Sequence, residues 1–288
     1  MTIRFPAYAV SLTAAVLVAA CSAGPVDTVA QPPRIGHIHG LAINPSDQSL
    51  YAATHYGLYR FGRDGAPELV GGHTHDFMGF TVIGADHFLA SGHPGATDPG
   101  QLPHLGLIES TNGGRNWTNR SLPGEADFHS VQYRHGRVYA YDSLSGRVMI
   151  SAGEDGWDRR AEIAALSIAV SPTNREEILA TTAEAGLMRS LDGGATFTTT
   201  PSASPLVYLG WPDDGPLIGV DPAGTLRSSL DGTTWKSRHA LGESPQALLA
   251  AGDGQVVVAT DSMIYRSTDN GTTAQPYRRM AEHTSPNG

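Results

Sequence analysis

The chain has 288 residues, including 34 Gly, 19 Pro and one Cys, and its formal net charge is −9. This glycine and proline content excludes a helical bundle, because each glycine in a helix interior costs about 1 kcal/mol and each proline about 3 kcal/mol. The acidic balance excludes the basic surface of a nucleic-acid-binding protein, one cysteine excludes a disulfide scaffold, and the hydrophobic content of 40% is enough for a packed core. A turn-rich, all-β globular fold remains.

The N-terminal segment has the features of a secretory signal. Arg4 precedes an apolar stretch over residues 7–20, which is shorter than the roughly 20 residues that a membrane-spanning helix needs. The stretch ends in LVAAC at residues 17–21, which resembles a bacterial lipobox, in which the cysteine becomes the lipidated N-terminus. We predict a signal peptide over residues 1–20 and lipidation of Cys21, with a flexible tether over residues 21–33. The lipid would anchor the protein in the cell envelope, on a bacterial membrane outside the cytoplasm; the alternative is a plain signal peptide followed by an unmodified cysteine.

A short motif recurs with a period of about 40 residues, which is the size of a four-stranded propeller blade. Its copies are STNGGRNW at 110–117, SLDGGATF at 190–197, SLDGTTW at 229–235 and STDNGTT at 267–273, with weaker copies at 61–65 and 151–157. Ser and Asp side chains bond to nearby backbone groups and glycine supplies positive φ, so the motif predicts a turn. The aromatic residue that follows can pack between neighbouring blades.

The motif resembles the Asp-box, or BNR repeat, of sialidase-like and sortilin-type propellers and of photosystem II assembly factors. The resemblance implies a structural role in the turn for Ser110, Trp117, Ser190, Asp192, Ser229, Asp231, Trp235, Ser267 and Asp269. We predict a six-bladed β-propeller over residues 34–282, followed by a tail at 283–288. A seven-bladed ring is the alternative, although a further blade needs about 40 residues more.

Alternating apolar residues and turn residues divide each repeat into four strands, ordered from the inside of the ring outwards. The strands predicted for the first three blades are 39–44, 49–54, 57–61 and 67–70; 77–83, 87–91, 105–110 and 117–121; and 128–133, 137–141, 147–151 and 157–162. The last three blades begin near Leu166, Leu206 and Ala247, and residues 92–104 form an insert in blade two. How the ring closes stays open, unless residues 34–38 join the last blade.

This strand order places the start of each inner strand and the link between second and third strands on one face, which we call the mouth face. Eight of the 12 histidines fall there: His37, His39, His55, His73, His75, His93, His104 and His129. Neutral imidazole binds Cu(II) and Zn(II) well. We predict that His39, His75 and His129 bind Cu or Zn, with His37 and Asp76 joining them, and we interpret His55, His93 and His104 as rim or loop residues.

These features favour a membrane-anchored, extracytoplasmic propeller that binds a small ligand or a protein partner at its histidine-rich face, through a transition metal. The resemblance to sialidases implies a second hypothesis, a glycoside hydrolase, for which Arg34, Glu125 and Asp127 are catalytic candidates. Arginines suited to clamping a substrate carboxylate are missing from the predicted inner-strand starts. A third hypothesis is a purely structural assembly or interaction module without a small ligand.

Overall fold

A computed structural model describes Met1 and residues 35–62, 67–95, 100–152, 156–200 and 205–280. These residues form 24 β-strands and no helix, arranged as six four-stranded antiparallel sheets. Within them, therefore, no helix has the length and apolar character needed to cross a membrane. The prediction of a six-bladed, all-β propeller is confirmed, and the seven-bladed alternative is wrong for this part of the chain. Cys21 and Arg34, like the predicted signal peptide, tether and tail, lie outside the described residues.

The first three blades carry the histidines of the mouth face. Their strands are β1 (Ile38–Ile43), β2 (Leu50–Thr54), β3 (Gly57–Phe61) and β4 (Glu68–Leu69); β5 (Asp76–Gly84), β6 (His87–His93), β7 (Leu107–Ser110) and β8 (Thr118–Ser121); and β9 (Phe128–Arg134), β10 (Arg137–Asp142), β11 (Arg147–Ala152) and β12 (Gly156–Glu162). The strands therefore lie close to the predicted ranges.

The last three blades repeat the same order. Their strands are β13 (Ala165–Val170), β14 (Ile178–Thr182), β15 (Gly186–Ser190) and β16 (Thr198–Thr199); β17 (Tyr208–Gly210), β18 (Leu217–Val220), β19 (Thr225–Ser229) and β20 (Lys236–Ala240); and β21 (Pro245–Gly252), β22 (Gln255–Thr260), β23 (Met263–Ser267) and β24 (Gln275–Arg279). In every blade the first strand in the chain is the innermost.

The ring closes by packing blade six against blade one, and within the described residues no strand is shared between them. Each sheet contains only strands that follow one another in the chain, and the inner strands β21 and β1 are in contact. The backbone N–H of Ile38 donates to Oε1 of Gln246 over 3.0 Å. Other blade pairs use the same type of bond, since the N–H of Phe128 donates to Oγ of Ser91 over 3.0 Å. The closing interface is thus built like the interfaces within the ring.

The hydrophobic core consists of clusters between consecutive blades, and the alternation of each strand explains why. In β2, Leu50 and Ala52 pack in the cluster between blades six and one, whereas Tyr51 and Ala53 pack in the cluster between blades one and two. Successive side chains of a strand point to opposite faces of the sheet, so a blade with neighbours on both sides buries both sets. The uniform burial of β2 follows from this arrangement.

The repeated turns join the third and fourth strands and attach each blade to the preceding one. In blade four, Oγ of Ser190 accepts the Gly194 N–H over 2.8 Å and donates to Oδ1 of Asp192 over 2.7 Å. The same serine–glycine bond holds the turns that begin at Ser110, Ser229 and Ser267. The aromatic residue that follows packs against the cluster shared with the preceding blade, as predicted, at Trp117, Trp157, Phe197 and Trp235.

One glycine of these turns is required by both its backbone and its surroundings. Gly114 has φ +85°, and a Cβ added there would lie 2.4 Å from Cδ2 of Leu58 in the preceding blade. A side chain would therefore be strained and would also collide with the neighbouring core. Glycine at this position lets the turn approach the preceding blade closely.

Candidate metal centre

The inner strands enclose a central cavity of about 530 Å³ that runs along the axis of the ring. His39 and His129, near the start of their inner strands, line it at the mouth face. Arg134 lines its far end, where the guanidinium forms an ion pair with Asp213 and donates to the carbonyl oxygen of Trp211 over 2.7 Å. Among the described residues, His39 and His129 present imidazoles to the cavity at its mouth, and His135 does so near the far end.

Three side chains from blades one and two converge beside this mouth. Nε2 of His39 lies 3.4 Å from Nδ1 of His55, and Nδ1 of His55 lies 2.8 Å from Oδ1 of Asp76. The same oxygen of Asp76 lies 3.9 Å from Nε2 of His39. Two imidazole nitrogens and one carboxylate oxygen therefore surround a single point, and together they form a donor set suited to Zn(II) or Cu(II). We call this group the first histidine cluster.

Local structure explains how distant parts of the chain meet here. His39 lies at an irregularity in the pairing of β1 with β2, and Asp76 is the first residue of β5. Between them the inner strands approach closely at Gly40, where a Cβ would lie only 3.1 Å from Cβ of Phe80. His55 lies in the turn after β2, which Thr54 holds by accepting the N–H of Tyr56 over 3.1 Å. The mouth face therefore assembles the cluster from positions 16 to 37 residues apart.

The environment of His39 favours the neutral imidazole that a metal requires. Burial, reinforced by the neighbouring His37 and His55 imidazoles, lowers the pKa of His39 to about 3. Burial and His55 likewise lower the pKa of His37, whose ring centroid lies 4.8 Å from that of His39. His39 therefore remains unprotonated at neutral pH and keeps a nitrogen lone pair available.

A second group of side chains surrounds Asp127, just before β9. Its Oδ2 accepts hydrogen bonds from Nε2 of His129 and from Oγ of Ser143, both over 2.8 Å, while its backbone N–H donates to Oδ1 of Asp142 over 2.9 Å. Burial acts to raise the pKa of Asp127, but the hydrogen bonds and the nearby imidazoles outweigh it, so the pKa is lowered. Asp127 is thus a buried carboxylate held in its ionised form.

His93 and His104 complete this second group. Nε2 of His93 lies 3.5 Å from Oδ2 of Asp127, and the ring centroids of His93 and His104 are 5.3 Å apart. One ligand atom from each of His93, His104 and Asp127 lies within 4.8 Å of the others. We call these three residues the second histidine cluster.

The structure brings some of the predicted ligands together and separates others. His39 and Asp76 lie in the first cluster and His37 lies beside it, whereas His129 is hydrogen-bonded to Asp127. His75 belongs to neither cluster: its ring is buried, packs on Phe77, and its Nδ1 accepts the N–H of Gly95 over 3.1 Å. Among the described residues, the three predicted ligands His39, His75 and His129 thus do not lie in one cluster.

Three histidines that we interpreted as rim or loop residues lie within the clusters: His55, His93 and His104. A sequence signal for two of them was available. His55 directly follows β2 and His93 ends β6, so they occupy similar places in adjacent blades, at the end of a second strand on the mouth face.

The predicted glycosidase residues do not form a recognisable catalytic group in the described part of the chain. Glu125 is exposed, while Asp127 is buried and bound to His129 and Ser143. Each of the four arginines at the repeat positions contacts an acidic or aromatic side chain of its own blade: Arg60 contacts Glu68, Arg189 contacts Glu177, Arg227 contacts Asp221 and Arg266 contacts the ring of Tyr277.

No protein-family model and no curated protein matches the chain, whereas many solved structures do. A streptogramin B lyase is 14% identical, with a TM-score of 0.62 over 88% of this chain and 86% of the lyase. A putative gluconolactonase is 12% identical, with a TM-score of 0.61 over 86% of this chain and 91% of that protein. An ancestral GH74 enzyme is 13% identical, with a TM-score of 0.55 over 88% of this chain, which spans only 40% of the enzyme. These likenesses show that the chain is a β-propeller.

Proposed function

We propose that this protein is a metal-dependent binding propeller, in which a Zn(II) or Cu(II) ion at the first histidine cluster helps to hold a small ligand or a segment of a partner protein at the mouth of the central cavity. The observation that carries the proposal is the convergence of Nε2 of His39, Nδ1 of His55 and Oδ1 of Asp76. The mouth also offers His129 as a polar contact beside the cavity.

The distances within the cluster support a tetrahedral ion. Zn–N and Zn–O bonds of about 2.0–2.2 Å place neighbouring ligand atoms about 3.3–3.5 Å apart in a tetrahedron. The three separations in the first cluster, 2.8, 3.4 and 3.9 Å, lie on both sides of that value. Small side-chain rotations would therefore equalise them, and three protein ligands leave a fourth position for a bound ligand, as in open zinc sites.

The location of the cluster supports a role in binding. The cavity of about 530 Å³ falls within the range of small-molecule sites, and His39 belongs both to the cluster and to the cavity wall. An ion held by His39 would therefore face a space large enough for a ligand. Function in propellers depends on such sites rather than on the fold, which serves many activities.

Two further parts of the proposal concern class and location. We assign the propeller to the Asp-box class, and the support is the repeated hydrogen bonding of serine with glycine and with aspartate in the turns of several blades.

We also propose that Cys21 is lipidated and anchors the protein to a bacterial membrane outside the cytoplasm. The support is the LVAAC sequence at 17–21, which follows an apolar stretch.

Calorimetric titration of the metal-free protein with ZnCl₂ tests the metal. The variant His39→Ala/His55→Ala should bind at the first cluster more than about 100-fold more weakly, because loss of outer partners alone costs 10–100-fold in affinity. His239→Ala, on β20 in blade five, is the matched control and should bind as the wild type does.

The same number of zinc sites as in the wild type, with the same affinities, in the double variant would overturn the metal proposal. The ligand role requires a second measurement, in which the wild-type protein, with and without zinc, is screened against envelope extracts and glycosides. Metal-dependent retention of a small molecule or a peptide supports binding. Turnover of a glycoside, or a stoichiometric partner that binds equally well after chelation, would replace the proposal by the hydrolase or the structural module, respectively.

A further inference from the structure

The second histidine cluster contains two buried polar atoms whose bonding capacity is unused. Among the residues that the structure describes, neither Oδ1 of Asp127 nor Nδ1 of His104 has a hydrogen-bond partner, although both atoms are shielded from solvent. Buried polar groups are nearly always satisfied, so an unpaired donor or acceptor indicates a missing partner. Two such atoms in one three-residue group indicate a partner that both of them share.

The chemistry of the group identifies this partner as a cation. The carboxyl group of Asp127 has only 4% of its surface exposed, and buried carboxyl groups in proteins are hydrogen-bonded, paired or coordinate metals. His129 and Ser143 occupy its Oδ2, which leaves Oδ1 as the free acceptor. A water molecule could bond to both atoms, but two imidazoles beside a carboxylate form the donor set of Zn(II) and Cu(II) sites.

We propose that His93, His104 and Asp127 bind a second transition-metal ion, next to the ion of the first histidine cluster, so that the mouth of the cavity holds a pair of metals. This second site uses none of the residues of the proposed function and stands or falls separately. Only the pairing rests on that function.

His93 is the structural link between the two sites. Its Nδ1 lies 3.7 Å from Oδ2 of Asp76, and its Nε2 lies 3.5 Å from Oδ2 of Asp127. One imidazole ring therefore separates the carboxylates of the two clusters. Because each nitrogen faces a carboxylate of a different cluster, His93 fixes the spacing of the two ions and lies between them.

Two of the three residues of this site lie at the two ends of the blade-two insert. Residues 92–104 connect the end of β6 to the segment before β7, and they carry His93 near one end and His104 at the other. The N–H of Leu105 donates to the carbonyl oxygen of Gly92 over 2.8 Å, so the two ends of the insert are fastened together. That bond brings His93 and His104 to the same place.

Metal stoichiometry of the full chain tests the proposal. The metal-free protein is saturated with ZnCl₂, separated from free metal by gel filtration and analysed for bound zinc per chain. We expect two equivalents in the wild type and in His239→Ala, one in His104→Gln and in Asp127→Asn, one in His39→Ala/His55→Ala, and none when His104→Gln is combined with that double variant. Far-ultraviolet circular dichroism and thermal unfolding verify that each variant is folded.

The outcomes distinguish the two sites. One equivalent in the wild type, lost in His39→Ala/His55→Ala and unaffected by His104→Gln, would overturn the second site and leave the proposed function intact. One equivalent lost only with His104→Gln and Asp127→Asn would support the second site and overturn the first. If His104→Gln is unfolded, Asp127→Asn decides the second site, since the amide keeps the shape of the carboxylate.

Electron paramagnetic resonance with Cu(II) tests the pairing. Two ions on either side of His93 should broaden each other's spectrum when the second equivalent is added, and either site variant should restore the narrow spectrum of an isolated ion. Sharp, additive spectra at two equivalents would show that the ions are far apart and would overturn the pairing.

Discussion

Nε2 of His39 lies 3.4 Å from Nδ1 of His55, although one side chain belongs to an inner strand and the other to the turn after the second strand. Imidazoles this close repel when protonated, and the low pKa of His39, about 3, reflects burial together with that repulsion. The fold thus holds the unprotonated imidazole of His39 beside a second imidazole.

Removal of metal should lower the thermal stability of the protein. A ligand that binds only the folded chain stabilises it by about 2.7 kcal/mol when present at 100 times its dissociation constant. For a domain of this size that corresponds to a rise in Tm of about 5–10 °C per site. Differential scanning calorimetry with ZnCl₂, and again after excess chelator, measures the rise and its reversal. An equal rise in His39→Ala/His55→Ala combined with His104→Gln would contradict both metal sites.

Substitution of Gly114 should destabilise the protein more than substitution of a glycine that also has a positive φ but has no neighbouring atoms near an added Cβ. Gly114→Ala meets Leu58 of the neighbouring blade, whereas Gly136→Ala, at φ +71°, meets no atom within 4 Å. We expect Gly136→Ala to cost about 1–2 kcal/mol for its backbone, and Gly114→Ala about 1–3 kcal/mol more for overpacking. Urea unfolding measures both; equal losses would show that the turn does not press on the preceding blade.

Asp192→Asn should remove a pH-dependent part of the stability. Hydrogen bonds from the side chain and backbone of Thr196 and from Ser190 lower the pKa of Asp192 to about 2. Because the pKa of Asp192 is lower in the folded state than in the unfolded chain, its carboxylate stabilises the fold fully at pH values above the unfolded-state pKa of about 4. This stabilisation is lost as the pH falls towards the folded-state pKa of about 2. The variant should therefore be less stable than the wild type near neutral pH and equally stable near pH 2.

Asn112 provides the internal comparison for that experiment. It occupies the same turn position in blade two, where its Oδ1 accepts the Asn116 N–H over 3.0 Å. An amide thus fits the turn, so Asp192→Asn changes charge without changing shape. A stability difference that is constant from neutral to acidic pH would show that the charge of Asp192 does not contribute.

Gln246→Leu should weaken the closure of the ring. The substitution leaves the buried Ile38 N–H without its acceptor at the junction of blades six and one, and an unsatisfied buried donor costs about 1–3 kcal/mol. Gln132→Leu is the matched control, because Gln132 bonds β9 to β13 through the carbonyl of Ile168 and the N–H of Val170. Urea unfolding should show similar losses for both. A loss below about 0.5 kcal/mol for Gln246→Leu alone would show that closure does not depend on this bond.

The fold could be predicted because each repeat carries local sequence signals for its strands and turns. Period-two alternation determines which side chains enter each inter-blade cluster, and the Ser–Asp–Gly turns mark the ends of the third strands, so the predicted and observed strands nearly coincide. The outer strands β4 and β16 have only two residues each, which is shorter than predicted for β4, whereas the outer strand β12 has seven.

The candidate site could be predicted only in part. Strand order placed the histidines on the correct face, but turn residues such as His55 have no alternation from which to infer their direction. His75 could have been excluded, since it lies two residues before Phe77 and shares its side of the chain, which faces the core. By the same alternation Asp76 points the other way, towards His39 and His55.

The contact of Arg134 with Asp213 and the carbonyl of Trp211 spans from blade three to blade five, bypassing blade four. It acts as a cross-brace at the end of the cavity opposite His39 and His129. Because the brace joins two blades that are not neighbours in the ring, separating blades three and five at this end requires the loss of an ion pair in addition to the packing between consecutive blades.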